Sequence, residues 1–378
     1  MRPKFEEGGK LHAFHSLFDA MDTFFYTPEQ TTVSGCHIRD AVDNKRTMFT
    51  VIIALIPALL FGMYNIGYQH YLSLGQVSCY CDNFWGNLGY GFLKILPMLL
   101  VSYIVGLGIE CIFAQIRKHE VSEGYFVTGM LIPLICPPDV PLWQLAIAVA
   151  FAVIIGKEVF GGTGYNFLNP ALVARAFLFF SYPSQMSGDT VWIAEQGDAI
   201  SGATPLGEML AGGAAPQASV LDMFLGFIPG SVGETSVIAI LIGAVILLVT
   251  GIASWRIMLS IFAGGAAMGL VFNMIGANPY MEMPFYYHFL IGGFMFGAVF
   301  MATDPVTAAQ TNTGKYIYGA LIGIMAVLIR VLNPAYPEGM MLSILLLNVF
   351  APLIDYYVVD ANIRRRAKRA KLLVKNNQ

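Results

Sequence analysis

The sequence has 378 residues, of which 56% are hydrophobic and 12% are charged, and its formal net charge is −3. Soluble domains contain about 25% charged residues, so the composition excludes an ordinary soluble protein. The slightly negative net charge also argues against binding to nucleic acid. Long apolar runs recur along the chain, and a helix of about 20 such residues crosses a hydrocarbon core of about 30 Å.

The apolar runs predict an all-α, polytopic transmembrane helical bundle, because lipid offers no partners for backbone polar groups. The short alternating segments that are typical of a membrane β-barrel do not occur. Ten spans are predicted, at residues 47–65, 90–113, 124–137, 142–157, 168–182, 236–253, 257–275, 288–303, 316–332 and 340–358. The third is interrupted by Pro133 and the fifth is preceded by Asn169–Pro170, so we expect broken or re-entrant helices there.

Two terminal segments flank the spans. Residues 1–46 mix charged with scattered apolar side chains and contain no apolar core followed by a small-residue cleavage site, so no signal peptide is predicted. Residues 360–378 include the stretch RRRAKRAKLLVK. This stretch is interpreted either as a topology signal alone or as a solvated basic helix that contacts anionic headgroups.

The positions of Lys and Arg predict the orientation, because cytoplasmic loops are enriched in them. The basic residues next to the spans fall on one side of a ten-span arrangement: Arg39, Lys45, Arg46, Arg117, Lys118, Lys157, Arg256 and Lys315. The connections on the other side, including the long segment 183–235, contain neither Lys nor Arg. We therefore expect both termini in the cytoplasm and residues 183–235 outside it.

A weak internal similarity relates the junction after the fourth span to the junction after the eighth. GGTGYNFLNPALVARA and FMATDPVTAAQTNTGKYIYGA each contain Asn or Asp before Pro, small residues after it and a nearby Thr-Gly element. We expect two inverted five-span repeats, 47–182 and 236–359, in which the two Asx-Pro breaks mark half-helices near the middle of the bilayer.

Four acidic residues lie within or beside apolar spans, where such residues are costly and are usually functional. Glu158 follows Lys157 and is interpreted as its local partner. Glu110, Asp304 and Asp355 have no adjacent cation in the sequence, and their oxygens are suitable ligands for a hard alkali cation. The alternative is that these three carboxyl groups are protonated and buried.

The five cysteines are an odd number scattered along the chain, so no disulfide framework is expected. Cys79 and Cys81 form a C-x-C pair that supplies only half of a tetrahedral metal site. Cys111 and Cys136 fall in or near spans, where a metal cluster shared among several subunits can use them. No metal ligand is assigned from the sequence.

A glycine-rich segment, GGTGYNFLNP at residues 161–170, lies at the end of the fourth span. It lacks the Rossmann and P-loop signatures. Its glycines permit positive φ angles or the close approach of a flat ligand. We therefore interpret it as a cofactor or quinone pocket with these candidate residues: Gly161, Gly162, Thr163, Gly164 and Asn169.

The polar loop GDAISGATPLGEMLAGGAAPQ, at residues 197–217, interrupts the apolar pattern. Gly202 and Ala203 leave room beside the Thr204 hydroxyl, and Pro205 fixes the turn. One interpretation is an attachment point for a bulky group. The other is a helix N-cap at Thr204, with Glu208 close to a capping-box position.

These motifs resemble those of a known family. The sequence SGAT at Ser201, Gly202, Ala203 and Thr204 resembles the S/D-G-A/S-T motif at which a dedicated transferase joins FMN, through its phosphate, to the threonine hydroxyl. Together with EVFGGTGYNFLNPALVARAFLFFSYPSQMSGDTVW, ATDPVTA and RKHEV, this makes nearly the whole chain similar to the B subunits of sodium-translocating NADH:quinone oxidoreductases.

The resemblance implies a membrane subunit of a respiratory enzyme in the bacterial inner membrane, which couples electron transfer from NADH to ubiquinone with sodium translocation. Thr204 would carry covalent FMN as a phosphoester. The resemblance also implies non-covalent riboflavin and ubiquinone sites, which we place near 161–169 and near Gly106, Gly108 and Glu110. Glu110, Asp304 and Asp355 match the acidic residues that the family uses in sodium movement.

The expected partners are the other subunits of the complex, a flavin transferase during maturation, and the lipid bilayer. NADH oxidation is expected in another chain of the complex, because this chain has no NAD fingerprint. Two alternatives stay open. One is the D subunit of the ion-translocating ferredoxin:NAD oxidoreductase, which generally starts closer to its first span. The other is a non-redox secondary transporter, for which broken helices and buried carboxylates are equally suitable. The choice between sodium and protons also stays open.

Overall fold

The computed structural model describes residues 18, 31–38, 43–77, 79–117, 124–195, 202–211, 216–333 and 338–376. Most of the predicted N-terminal segment 1–46 and the whole of 118–123 therefore lie outside the described residues. Within the described ranges the chain forms fourteen α-helical segments, short 3₁₀ and π turns, and no strand. The all-α class predicted from the apolar runs is confirmed.

Six helices are long and apolar enough to cross a membrane: Asn44–Ser73, Phe84–Arg117, Leu142–Phe160, Trp255–Ile275, Asn312–Leu332 and Met340–Lys371. Three shorter apolar helices lie between them: Gly124–Ile135, Pro170–Ser181 and Val237–Val249. Large apolar side chains such as Leu93, Ile104 and Val249 are exposed on these helices. The lipid tails of a bilayer would cover such a surface, because they are as apolar as these side chains.

We label the helices in chain order, and the first half of the chain contributes five, three long and two short. They are α1 (Asn44–Ser73), α2 (Phe84–Arg117), α3 (Gly124–Ile135), α4 (Leu142–Gly156) and α5 (Pro170–Ser181). The third and fifth predicted spans are the two short ones, at 12 residues each. Helix α5 starts at Pro170 because proline has no N–H to donate and Asn169 caps the first turn.

Two short helices, α6 (Pro205–Leu210) and α7 (Val220–Leu225), lie between the halves. The second half then contains α8 (Val237–Val249), α9 (Trp255–Ile275), α10 (Pro279–Glu282), α11 (Tyr287–Leu290), α12 (Phe294–Phe296), α13 (Asn312–Leu332) and α14 (Met340–Asn376). The predicted span 288–303 is not one helix: α11 and α12 lead into a π turn at Gly297–Met301.

The last helix, α14, runs for 37 residues from Met340 to Asn376 without a break. It therefore continues the predicted last span directly into the basic tail, in which residues 361–371 are exposed. Pro352 lies inside this helix, where a missing backbone hydrogen bond is tolerated if neighbouring groups compensate.

Helix packing is similar in the two halves only in part, because α1 packs on α2 whereas α8 has little contact with α9. In the first half α2 packs on α4, and α4 packs on α5; in the second half α9 packs on α13, and α13 packs on α14. The first helices of the two halves, α1 and α8, pack against each other, and α5 contacts α14. The two halves therefore meet along α1 with α8 and along α5 with α14.

Candidate functional site

Thr204 lies at the start of α6, in the connection between the two halves. Its Oγ1 accepts a hydrogen bond from the N–H of Gly207 at 3.2 Å, so the N-cap predicted as one of the two interpretations is confirmed. Glu208 does not occupy a capping-box position, because its carboxylate accepts from the N–H of Gln217 at 2.8 Å. The cap fixes the Thr204 side chain relative to the helix.

The other motif residues surround Thr204 unequally. Gly202 is buried, and its N–H donates to the carbonyl of Asp189 at 3.1 Å, while Ala203 is half-buried. Ser201 lies outside the described residues. The hydrogen bond at Gly202 ties the motif to a distant part of the same connection.

Thr204 lines an open cavity with an empty volume of about 1110 Å³, which we call the Thr204 cavity. Part of its wall is apolar and consists of Phe179, Met186, Trp192, Leu206 and Ile228. Another part is polar and consists of Ser231, Glu234, Thr235 and Glu338. Thr235 is only 4% exposed, and its Oγ1 has no hydrogen-bond partner among the described residues. The cavity therefore offers an apolar face together with an unused hydroxyl.

A buried arginine connects the polar wall of the Thr204 cavity across the two halves. Arg175 of α5 donates to Glu234 at 2.6 Å, to Ser231 Oγ at 3.3 Å and to the carboxylate of Glu338. Burial raises the pKa of Glu234, and Arg175 opposes that rise. Arg330 of α13 lies near the same region and donates to the carbonyl of His288 at 2.7 Å. Neither arginine was predicted as a site residue from the sequence, although an arginine inside an apolar span is a signal of function.

A second open cavity, with an empty volume of about 800 Å³, lies at the opposite ends of α5 and α8. We call it the Asp304 cavity. Its polar lining residues are Thr47, Thr128, Lys157, Thr163, Asn166, Asn169, Thr303 and Asp304. Thr163 Oγ1 is buried there without a hydrogen-bond partner among the described residues. Of the predicted pocket residues, Thr163 and Asn169 line this cavity.

The two predicted Asx-Pro breaks come together at the Asp304 cavity, and they have the same local geometry. Asn169 Oδ1 accepts from the N–H of Ala171 at 3.0 Å, and Asp304 Oδ1 accepts from the N–H of Val306 at 3.1 Å. In each case the donor lies two residues after the Asn or Asp that accepts. The breaks follow the fourth and the eighth apolar segments, so a five-span repeat does not superpose one on the other. They share a cavity rather than an equivalent position.

The glycines of the predicted pocket do not all lie at the cavity. Gly161, Gly162 and Gly164 have φ angles of 121°, 94° and 94°, as their positive-φ interpretation predicted, but none of them is among the lining residues. Gly106 faces Tyr125, whose ring would clash with any Cβ at that position. Gly108 is exposed on α2, so Gly106 and Gly108 line neither cavity.

The three predicted cation-handling residues have different surroundings. Glu110 of α2 forms a buried ion pair with Lys157, so it has a cation partner from another part of the chain. Asp304 accepts from Val306 and from the Thr307 hydroxyl, and it lines the Asp304 cavity. Asp355 accepts from the start of α13 and lines neither cavity. The structure does not bring the three into one site.

Glu158 is not the partner of Lys157, contrary to the sequence-based interpretation. Its carboxylate lies 3.2 Å from Nη1 of Arg117, and its carbonyl accepts from Nη2 of Arg117 at 2.7 Å. Neighbouring side chains at a helix end point in different directions, so Lys157 and Glu158 each reach a separate residue of α2. Glu110 and Arg117, seven residues apart, lie on one face of α2.

Lys94 is a further charge inside a predicted span that the topology argument left out. Its ammonium lies 3.0 Å from Asp139 and 2.8 Å from Glu195, and its bond to Glu195 lowers the pKa of that carboxyl group.

Among the cysteines, Cys136 is buried, Cys111 is half-buried, and Cys36, Cys79 and Cys81 are exposed. In the described part of the chain, no group of three or more His, Cys, Asp or Glu is arranged to hold a metal ion.

The two cavities and their polar walls occur in a chain whose sequence has clear relatives. A profile of the NQR2, RnfD, RnfE family matches residues 31–364. The chain belongs to this family. The matched region runs from before α1 to the tail of α14, so it includes both cavities.

The relatives agree over nearly the full length. The chain is 51% identical to the B subunit of the Na(+)-translocating NADH-quinone reductase of Ectopseudomonas mendocina (strain ymp), over 97% of this chain and 96% of that protein. It is also 51% identical to the protein of the same name from Chromohalobacter salexigens, over 98% and 95%. With the protein of that name from Klebsiella pneumoniae (strain 342), the identity is 49% over 98% of both chains.

Proposed function

We propose that this chain is the B subunit of a sodium-translocating NADH:quinone oxidoreductase, with FMN attached to Thr204 through a phosphoester. About 50% identity over nearly the whole chain to proteins of that name supports the enzyme assignment. The observation that carries the flavin assignment is the position of Thr204 in the wall of the cavity of about 1110 Å³. Small-molecule and cofactor sites are typically clefts lined by apolar side chains with a few polar groups, as the wall of this cavity is.

The N-cap hydrogen bond is compatible with an ester at Thr204. The Gly207 N–H uses a lone pair of Oγ1, whereas esterification replaces the hydroxyl hydrogen. The same geometry can therefore hold the oxygen before and after attachment. When bound, FMN supplies the electron-transfer chemistry, and the chain holds the anchoring oxygen, the apolar wall and the buried Thr235 hydroxyl.

The Asp304 cavity is our candidate for the non-covalent riboflavin or the ubiquinone. Thr163 has an unused buried hydroxyl there, and Asn166 and Asn169 add amide groups beside apolar side chains such as Val51 and Phe300. A flat ligand with polar edges needs such a combination. Gly106 and Gly108 do not belong to this candidate site.

The cation pathway is proposed to include Glu110, Asp304 and Asp355, which supply carboxylate oxygens at three separate places. Asp304 is the strongest of the three, because it lines a cavity that opens between the two halves. Glu110 and Asp355 would act at different stages, since neither shares that cavity.

The proposed architecture has ten membrane segments in two inverted repeats, 47–182 and 236–359, with the Thr204 connection, 183–235, outside the cytoplasm. The matching packing of α2, α4 and α5 with α9, α13 and α14 supports the repeat. An odd number of spans in each half makes the halves antiparallel to one another. The same arrangement puts both termini in the cytoplasm, and it places Thr204 on the other side of the inner membrane, where a flavin transferase would have to reach it.

Covalent flavin on Thr204 is tested with Thr204→Val, which keeps the shape but removes the oxygen. The variant is expected to reach the membrane without covalent flavin, because no ester can form. Thr204→Ser keeps the hydroxyl and is expected to be labelled. Ser219→Ala, which removes the N-cap of the neighbouring helix α7, controls for the loss of a cap, which costs about 1 kcal/mol.

The measurements are flavin fluorescence on a denaturing gel and the intact mass of the purified protein. A flavin mass that persists on Thr204→Val would contradict the assignment. Absence of covalent flavin from the wild-type chain would leave a non-redox transporter as the better candidate. Quinone-dependent rather than ferredoxin-dependent NADH oxidation separates this enzyme from the related ferredoxin:NAD oxidoreductase.

A further inference from the structure

The Glu110 carboxylate already forms a buried ion pair with Lys157. A cation pathway in which Glu110 is an unoccupied ligand does not explain this pair. Glu110 lies in α2 and Lys157 directly follows α4, and their side chains are only 4% and 3% exposed. Moving two charges out of water carries a large penalty, so a buried pair is weak evidence for a purely stabilising role. The pair therefore calls for a functional explanation.

The contact between α2 and the end of α4 does not depend on Lys157 alone. Arg117 and Glu158 make a second ion pair between the same two parts of the chain, at 3.2 Å, and Arg117 also donates to the Glu158 carbonyl at 2.7 Å. The Arg117–Glu158 pair thus holds α2 against the end of α4 beside Lys157. If the Lys157 ammonium left Glu110, this second pair would still maintain the contact between the helices.

The surroundings of the Lys157 ammonium are those that a monovalent cation prefers. Besides the Glu110 carboxylate, the ring of Tyr125 lies 5.8 Å from Nζ. Tyr125 is fully buried and its hydroxyl donates to the Ser102 carbonyl at 2.8 Å, so the ring is held in place. Gly106 leaves the room that this ring occupies. An aromatic face attracts ammonium groups and other cations through the same quadrupole.

Lys157 is also part of the wall of the Asp304 cavity. The same side chain therefore connects Glu110, in the first half, with the cavity that contains Asp304, in the second half. The buried Thr163 hydroxyl lines this cavity as well. A displaced ammonium would have a polar cavity beside it rather than lipid.

We propose that Lys157 is a tethered cation that occupies the Glu110 position, and that a hard monovalent cation such as sodium binds Glu110 only by displacing this ammonium. The proposal rests on the proposed role of Glu110 in the cation pathway. Exchange of one monovalent cation for another keeps the Glu110 carboxylate paired throughout, and the displaced ammonium moves towards the polar cavity that contains Asp304. Lys157 then sets the sodium affinity at Glu110.

The test is a sodium titration of the purified complex that contains Lys157→Met, followed by its thermal unfolding in NaCl or in choline chloride. Without the competing ammonium, the half-maximal sodium concentration for stabilisation is expected to fall at least about fivefold, the lower end of typical coupling between two bound ligands. The double variant Lys157→Met with Glu110→Gln removes both charges. It is expected to lose the stabilisation that Lys157→Met shows at low sodium concentration.

A Lys157→Met complex that is equally destabilised in both salts, or whose sodium response equals that of the wild type, overturns the proposal and makes the pair structural. If Lys157→Met does not accumulate, Lys157→Arg replaces it. A guanidinium binds a carboxylate bidentately and is harder to displace, so the half-maximal sodium concentration must rise. An unchanged value with Lys157→Arg also overturns the proposal.

The readout is independent of the redox assignment. Thermal unfolding needs neither NADH nor quinone, so a sodium effect in Lys157→Met together with a wild-type chain that lacks covalent flavin would retain this proposal and reject the proposed redox function. The reverse result, covalent flavin on Thr204 with no change in sodium response, would reject only the role of Lys157.

Discussion

Asp304 and Asp355 show that two carboxylates with the same predicted role are held in different ways. Asp304 accepts from the Val306 N–H and from the Thr307 hydroxyl. A hydroxyl can rotate and accept instead, so an amide can replace this carboxylate without losing a partner. Asp355 accepts from the backbone N–H groups of Gln310 and Thr311, one on each oxygen. An amide NH₂ there would face another donor.

Asp304→Asn is therefore expected to keep the fold and the flavin content but to weaken the apparent sodium affinity, because only the charge is lost. Asp355→Asn is expected to lose about 0.5–1.5 kcal/mol of stability, the net contribution of one hydrogen bond, because the donors it faces are only partly buried. Thermal unfolding and sodium-stimulated quinone reduction measure the two effects. Normal sodium dependence in Asp304→Asn would mean that this carboxyl group is buried and protonated rather than a cation ligand.

At the scale of single elements, the short helix α5 depends on its N-cap residue, Asn169. Asn169 and Pro170 line the Asp304 cavity, and Asn169 Oδ1 accepts from the N–H of Ala171 at 3.0 Å and of Leu172 at 3.4 Å. Asn169 is only 4% exposed. Water therefore has little access to replace the cap, and the break between α4 and α5 needs this side chain.

We expect Asn169→Ala to destabilise the protein by about 1–2 kcal/mol, at the upper end of the range for lost caps. Asn169→Asp retains an acceptor oxygen and should cost less. Asn278→Ala is the matched control, since Asn278 caps the short helix α10 through the Met281 N–H. Unfolding of the purified protein in detergent gives the comparison. Equal losses at 169 and 278 would show that burial does not strengthen the cap.

At the scale of the whole molecule, the charge distribution and the contacts between loops agree on one face. The loop between α1 and α2 contacts the connection that carries Thr204, because the Tyr80 hydroxyl donates to Asp222 at 2.6 Å. Both segments lack Lys and Arg. Lys94 reaches this face too, but Asp139 and Glu195 neutralise its charge. The proposed external position of the Thr204 connection therefore extends to Cys79 and Cys81.

The native cysteines provide the test of this topology. Cys79 and Cys81 are exposed on the proposed external face, whereas Cys36 is exposed before α1 and belongs to the proposed cytoplasmic side. An impermeant maleimide added to intact cells whose outer membrane has been permeabilised should label Cys79 and Cys81 but not Cys36. Peptide mass mapping identifies the sites. Cysteine introduced at Gln217 or Ser219 should behave like Cys79, and labelling of Cys36 alone would invert the arrangement.

The sequence by itself determined the helical class, the approximate positions of the apolar segments, the Asx-Pro breaks and the N-cap at Thr204. Each of these depends on local chemistry: hydropathy over one span, the missing N–H of proline, or a short motif. The continuous helix α14 and the fragmented segment 279–301 were harder to predict, because backbone hydrogen bonding there depends on neighbours rather than on composition.

Only the tertiary structure decided which charges meet. Lys157 and Glu158 are adjacent in sequence, yet they pair with Glu110 and Arg117 on α2. Arg175 joins Glu234 and Glu338 across the two halves in the same way. Coulomb attraction and desolvation depend on distance and burial in space, and no spacing along the chain contains either quantity. For the same reason, the two cavities could not be predicted from the sequence, because residues from distant parts of the chain line each of them.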